Sequence, residues 1–166
     1  MVIRHVRVED AEMLLALHLR LDEETDFMLQ EPGERSDDVE VERERIRGLL
    51  SRDNQALIVA EVDGQLVGYV AILGGPFRRN RHSAYIVIGV LKSFNGQGIG
   101  GSLLGEAERW AKNAGLHRIE LTVMAHNTRA IHLYEGVGFA REGTRKHALR
   151  INGAWVDEFY MAKLLG

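Results

Sequence analysis

A turn with four glycines is the stretch of this sequence whose residue types and spacing could do chemistry. Asn95–Gly101 reads NGQGIGG and holds four glycines in seven positions. It follows an almost wholly apolar run, Ala84–Leu91, which is typical of a strand buried on both faces. It precedes Ile99–Ala114, where apolar residues recur at helical spacing. Backbone N–H groups and the helix dipole converge at such a junction, so the pattern predicts a phosphate site, unless the turn simply joins two core elements.

Two familiar nucleotide-binding motifs fit this turn poorly. Gly96, Gly98 and Gly101 match G-x-G-x-x-G, but that fingerprint belongs to the first crossover of a doubly wound sheet. Here the turn lies in mid-chain, after a hairpin signal at Asp63-Gly64. A P-loop needs a lysine before Ser102, and there is none. A dinucleotide-dependent oxidoreductase therefore stays as a weaker alternative, and ATP chemistry is not expected.

The rest of the chain must supply the elements that position the turn, in the predicted order β-α-α-β-β-β-α-β-α-β-β. The hairpin signals Asp63-Gly64 and Asn152-Gly153 predict antiparallel neighbours, whereas a helix between two strands predicts a parallel crossover. The sequence therefore predicts an α/β (α+β) fold with a mixed, largely antiparallel central sheet flanked by helices. The predicted strands are Val2–Val8, Ala56–Val62, Leu66–Leu73, Ala84–Leu91, Arg118–Val123, Phe139–Ile151 and Ala154–Leu164, and the helices begin at Glu9, Ser36, Ile99 and Asn127.

Composition limits the classes of protein to consider. A chain of 166 residues is expected to form one domain over residues 1–166. The net charge of −3 gives no reason to expect a nucleic-acid partner, and the absence of cysteine excludes disulfides and thiolate chemistry. The seven histidines show no ligand spacing, so no metal is predicted. With no apolar leader and no membrane-length segment, we expect no membrane partner and a cytoplasmic location.

A second motif follows the glycine turn by some thirty residues. The turn matches Gln/Arg-x-x-Gly-x-Gly/Ala at Gly98 and Gly100, although Asn95 stands in the leading position. The pattern Asn-x-x-Ala-x-x-Leu-Tyr-x-x-x-Gly-Phe is then met at Asn127, Ala130, Leu133, Tyr134, Gly138 and Phe139. With these two motifs and this element order, the chain resembles the GNAT superfamily of acetyl-CoA-dependent N-acetyltransferases over nearly its whole length.

The resemblance implies a site for acetyl-CoA in a V-shaped opening beside the central strand. Free backbone groups near Ile88 and Val90 would pair with the pantetheine arm. Asn127 would contact the cofactor, together with or in place of a role as the helix N-cap. Gly89 is compatible with a bulge or splay there, or with tight packing. Lys92 is a candidate, with Arg129, for the 3′-phosphate of CoA. The pyrophosphate would be bound by the turn and the helix start: Asn95, Gly96, Gln97, Gly98, Ile99, Gly100, Gly101 and Ser102.

The resemblance also implies the mechanism. An amine would attack the thioester directly in a ternary complex, without a nucleophile from the protein, and Tyr134 matches the family's general acid, which protonates the departing thiolate. The alternative role of Tyr134 is that of a core aromatic residue. The amine must lose a proton, yet no glutamate lies between residues 83 and 90. The base is left open among His82, Tyr85, His126, Glu31 and a water chain.

The acceptor is predicted only by class, as an amine-bearing small molecule or a protein N-terminus. The acidic stretch Asp22–Asp38 faintly favours a cationic amine, although a solvated acidic face explains it as well. A non-catalytic module that senses acyl-CoA is the main alternative function. The resemblance also implies a homodimer as a candidate assembly, since relatives of this family are often dimers.

Overall fold

A seven-stranded sheet runs through the computed structural model, which describes residues 1–166. Its strand order is β1-β2-β3-β4-β5-β7-β6, and β4–β5 is the only parallel pair. The predicted mixed, largely antiparallel fold is confirmed. The strands are β1 (Val2–His5), β2 (Gln55–Val62), β3 (Gln65–Gly74), β4 (Ser83–Val90), β5 (Arg118–Met124), β6 (Ala140–Ile151) and β7 (Ala154–Leu164).

Four helices cover the sheet: α1 (Ala11–Glu24), α2 (Val39–Leu50), α3 (Ile99–Asn113) and α4 (Thr128–Gly136). The glycines of the central strands show which face each helix takes. A Cβ on Gly68 would meet Leu103 of α3, whereas a Cβ on Gly89 would meet Leu21 of α1. The helices α1 and α2 pack against each other on the Gly89 face, and α3 and α4 share the Gly68 face. None of these helices has the length and apolar character needed to cross a membrane.

The end of β1 and the start of α2 each differ by three residues from their predicted positions, because of local hydrogen bonds to an aspartate. The strand β1 ends at His5 rather than Val8, because Val8–Asp10 forms a 3₁₀ turn whose Asp10 carboxylate accepts a 2.7 Å hydrogen bond from the Arg7 N–H. The helix α2 begins at Val39 rather than Ser36, because the Asp38 carboxylate caps it by accepting from the Glu40 N–H at 2.9 Å.

Both predicted hairpin turns are confirmed. Asp63 and Gly64 join β2 to β3 with φ values of 48° and 76°, and Asn152 and Gly153 join β6 to β7 with 50° and 79°. Two consecutive residues with positive φ are the signature of the turn that best matches the twist of a hairpin.

Gly89 is a close packing contact and not a bulge. The β3–β4 register runs without a break from Gly68↔Val90 to Gly74↔Ala84. A Cβ at Gly89 would lie 2.9 Å from Leu21 Cδ1 and from Tyr69 Cε1, and 3.0 Å from Met28 Cε. The missing side chain therefore lets α1 and the Tyr69 ring lie directly against β4.

Gly89→Ala is expected to lower the free energy of unfolding by about 1–3 kcal/mol, the usual cost of overpacking. Gly48→Ala, in α2 with open space around its Cβ, is the matched control and should stabilise the chain by about 0.5–1 kcal/mol. Urea denaturation measures both. Equal effects of the two substitutions would contradict the packing role of Gly89.

Candidate active site

The two central strands separate after three paired positions. β4 and β5 pair from Ser83↔Arg118 to Tyr85↔Glu120 and no further. Beyond that point β4 continues along β3 as far as Val90, while β5 continues along β7 as far as Met124. A wedge-shaped gap therefore opens toward the carboxyl ends of the two strands, and its vertex lies at Tyr85.

Backbone groups of β4 line this gap without a strand partner. The carbonyl of His82 accepts from the Arg118 N–H of β5, whereas the Leu91 N–H donates to Val67 on the β3 side. Since backbone groups alternate along a strand, even-numbered residues of β4 turn theirs toward β5. The N–H and C=O groups of Ile88 and Val90 consequently point into the gap.

A tyrosine side chain closes the vertex. The Tyr85 hydroxyl lies 2.6 Å from Thr122 Oγ1 and accepts a hydrogen bond from the Thr122 N–H at 3.3 Å. Thr122 lies two residues beyond the last paired position of β5. The phenol thus satisfies a backbone donor that the ladder would have paired if the strands had stayed together.

The glycines of the turn occupy their positions for different physical reasons. Gly96 and Gly98 have φ values of 79° and 78°, a region that other residues rarely adopt, and Gly98 is the N-cap of α3. A Cβ at Gly100 would lie 2.9 Å from Leu133 Cδ2, so Gly100 allows α3 and α4 to pack. A Cβ at Gly101 would meet nothing within 4 Å. Gly101 therefore borders open space at the helix N-terminus, where an anion would sit.

Two cations flank the turn. Arg129, in the first turn of α4, brings Nη2 to 3.8 Å from the place of a Cβ on Gly96. The Lys92 N–H donates to the Glu24 carboxylate at 2.6 Å, which ties the end of α1 to the segment leading into the turn. Neither the Lys92 ammonium nor the Arg129 guanidinium pairs with a carboxylate of the chain, so both charges are free to meet an anion.

Tyr134 is buried, yet its hydroxyl has no partner in the protein. It lies in α4, whose N-cap Asn127 accepts a 3.3 Å hydrogen bond from the Ala130 N–H. The Tyr134 side chain is 8% exposed, and its hydroxyl makes no hydrogen bond. Asn54 Oδ1 is the only fully buried polar side-chain atom without a partner, so the Tyr134 hydroxyl must reach accessible space. The Tyr134 hydroxyl is therefore not enclosed in the core.

The Tyr134 phenol is held in its protonated form. Burial is the largest cause that raises its pKa, and the nearby phenols of Tyr69 and Tyr85 raise the pKa further. The hydroxyl is therefore a proton donor throughout the physiological range.

The candidates for the general base occupy different positions relative to the vertex. His82 precedes the first paired residue of β4, beside His117, at the end of the strand opposite the gap. Tyr85 lies at the vertex itself. The His126 ring packs against Phe27 at 5.1 Å, in the loop after β5. Glu31 is exposed in the segment between α1 and α2. The structure brings Tyr85 to the gap and leaves His82 away from it.

Sequence reasoning missed a polar pocket on the α1 face of the sheet, next to the vertex. Ile119, Leu121 and Val123 of β5 are buried, so the alternation of the strand places Glu120 and Thr122 on the opposite face, and this pattern could have signalled them. The pocket has a volume of about 340 Å³. It is lined by Tyr85, Arg118, Glu120, Leu121, Thr122, Glu142, Tyr160 and Met161.

Comparison with known proteins identifies the family. Residues 18–139 match the family model of the acetyltransferase (GNAT) family. The chain belongs to the GNAT acetyltransferases. This membership rules out the dinucleotide-dependent oxidoreductase and makes the chain an acetyl-CoA-dependent acetyltransferase.

Relatives of this GNAT chain resemble it over nearly its full length. It is 34% identical to the L-amino acid N-acetyltransferase AaaT of Escherichia coli, over 98% of this chain and 97% of that protein. A GNAT-family acetyltransferase of Streptococcus pneumoniae has 32% identity and a TM-score of 0.95, with 99% of each chain covered. The ribosomal-protein-alanine N-acetyltransferase of Brucella melitensis has 31% identity and a TM-score of 0.88, covering 99% of this chain and all of that one (100%).

Gly101→Val should weaken acetyl-CoA binding by at least about tenfold, because the added side chain would occupy the open space at the α3 N-terminus without disturbing the free protein. Thermal shift at a fixed acetyl-CoA concentration measures the loss, since a ligand that binds the folded state raises the midpoint. Gly105→Val is the matched control, one turn further along α3 and also in open space. Equal stabilisation of both variants by acetyl-CoA would contradict a phosphate site at the turn.

Proposed function

We propose that this chain transfers an acetyl group from acetyl-CoA to a primary amine by direct attack in a ternary complex. The observation that carries this proposal is Tyr134, a protonated phenol beside the β4–β5 gap whose hydroxyl has no partner in the protein. Because the hydroxyl reaches accessible space while the rest of the side chain is buried, it is placed to donate a proton to a bound ligand.

The residues around the gap fit the three parts of acetyl-CoA. The backbone groups of Ile88 and Val90 would pair with the pantetheine amides in the manner of a strand. Lys92 and Arg129 would meet the 3′-phosphate, and Asn127, besides capping α4, would contact the cofactor. The pyrophosphate would lie over the turn and the helix start, against Asn95, Gly96, Gln97, Gly98, Ile99, Gly100, Gly101 and Ser102. Ile99 contributes only its amide, because its side chain is buried.

The chemistry needs two proton transfers and no protein nucleophile. Bound acetyl-CoA would supply a thioester carbonyl at the vertex of the gap, where the amine forms the new C–N bond as the C–S bond breaks. Tyr134 gives its proton to the sulfur, which makes the leaving group a thiol. The attacking amine gives its proton to Tyr85, His126, Glu31 or water, and His82 is set aside because it lies away from the gap.

The names of two relatives define the acceptors to test first. One relative is an L-amino acid N-acetyltransferase, and another is a ribosomal-protein-alanine N-acetyltransferase. Both names denote a primary amine on an amino acid, free in one case and at the N-terminus of a protein in the other. We accordingly propose that the acceptor is the amine of an amino acid or of a chain terminus.

Tyr134→Phe is expected to lower kcat by about 100-fold, with acetyl-CoA affinity nearly unchanged, because the lost proton matters mainly in the transition state. Steady-state release of the CoA thiol, with an excess of amine, gives kcat, and calorimetry gives the affinity. Because the Tyr134 pKa is raised above that of a free tyrosine, kcat of the wild type should not fall between pH 7 and pH 10.

Unchanged turnover of Tyr134→Phe would remove this residue from the mechanism. If the wild type binds acetyl-CoA but transfers acetyl to no amine, the chain is a sensor of acyl-CoA and the proposed transfer is wrong.

A further inference from the structure

We propose that the pocket beside the vertex selects a cationic amine with no free carboxylate next to it. Such an acceptor is an amino acid amide or a peptide N-terminus, as opposed to a zwitterionic free amino acid. This inference rests on the proposed function, since it specifies the acceptor of that reaction.

The pocket lies where an acceptor could reach the vertex from the side opposite the glycine turn. Tyr85 and Thr122 belong both to the vertex and to the pocket wall. The turn and Tyr134 lie on the α3–α4 face, whereas Tyr85 shares the α1 face with Gly89. The volume of about 340 Å³ is at the lower end of the range for small-molecule sites. The pocket therefore suits a small amine or the end of a chain.

The charged groups in the pocket sum to −1. The Arg118 guanidinium donates to the Glu120 carboxylate at 2.8 Å and to both oxygens of Glu142, at 3.0 and 2.6 Å. The hydrogen bonds from Arg118 hold the pKa of Glu142 below its usual value, so Glu142 is ionised at neutral pH. Two carboxylates thus face one guanidinium, whose Nε and both terminal nitrogens are already engaged.

This arrangement treats the two ends of an amino acid differently. An ammonium group gains a favourable interaction with the excess carboxylate charge. A free carboxylate meets two like charges and must displace one of them to reach Arg118. Without a rearrangement of the Arg118 contacts, the pocket favours the amine and disfavours a carboxylate beside it.

A second observation concerns the segment that overhangs the same face. Residues 22–38 contain eight acidic residues and a single arginine, Arg35, which pairs with Asp22. Met28 of this segment packs over Gly89, and Phe27 packs against His126, so the segment borders the approach to the vertex. A concentration of one charge sign around a cleft raises the local concentration of oppositely charged ligands. The negative electrostatic potential of residues 22–38 and the negative charge of the pocket both favour a cationic acceptor.

The test compares L-alaninamide with L-alanine, which share the amine and the methyl group and differ in the carboxylate. The wild type should show the higher kcat/KM with the amide. The ratio of the two kcat/KM values should fall by about three- to tenfold in Glu142→Gln, because that substitution brings the pocket to neutrality and the charges are partly screened by solvent. Differences in intrinsic amine reactivity cancel when the ratios of two variants are compared.

Glu61→Gln is the matched control. Glu61 also lies on a strand and also accepts from an arginine Nε, that of Arg4 at 2.9 Å, but it belongs to β2, outside the pocket. In Glu61→Gln, the ratio of kcat/KM for L-alaninamide to kcat/KM for L-alanine should equal that of the wild type.

The outcomes separate the two proposals. Transfer to both acceptors with equal kcat/KM, a preference for free alanine, or an unchanged ratio in Glu142→Gln would overturn the inference and leave the proposed function in place. Absence of transfer to any amine, with acetyl-CoA bound, would overturn the proposed function and the inference together.

Discussion

The short ladder between β4 and β5 is the constraint on which the rest of the site depends. Three paired positions hold the only parallel pair of strands in the sheet, after which the backbone groups of Ile88 and Val90 have no partner strand. An unpaired backbone group away from water costs free energy comparable to a lost hydrogen bond. The fold tolerates this cost where the gap is open to a ligand. At the vertex, the Tyr85 hydroxyl reduces the cost by accepting a hydrogen bond from the Thr122 N–H.

A strand that has lost one neighbour must be held firmly on its other side. The unbroken register with β3 and the close packing at Gly89 fix β4 against Tyr69 and α1. Behind that contact lies a buried polar cluster, in which Arg45 donates to His18 Nε2 and to the carboxylate of Glu42. Burial, followed by the charges of Arg35 and Arg45, lowers the pKa of His18 to about 3, so the ring is neutral and can accept from Arg45. The neutral His18 ring thus keeps its contact with Arg45 on the α1 face through the neutral pH range.

Much of this architecture follows from local signals in the sequence. The turns at Asp63-Gly64 and Asn152-Gly153 are predictable because their backbone conformation depends on those residues alone. The glycine turn and the α4 motif are likewise contiguous. The vertex is different: Tyr85 and Thr122 are 37 residues apart, and Arg118 reaches Glu142 across 24 residues. Such contacts depend on where the strands stop pairing, a property of the whole sheet that no local pattern states. The alternation of β5 could have signalled Glu120 and Thr122, but not that they meet Tyr85 and Glu142 in one pocket.

The most direct test of the account is the exchange of individual backbone amides in the presence and absence of acetyl-CoA. If the cofactor lies in the gap, the amides of Ile88 and Val90 should exchange more slowly when acetyl-CoA is bound, because they then donate to it. The amides of Val87 and Gly89 turn toward β3 and should keep the protection they already have. Within β4, slower exchange at Ile88 and Val90 but not at Val87 and Gly89 is the predicted result. Unchanged exchange at both residues, with acetyl-CoA bound, would contradict the account.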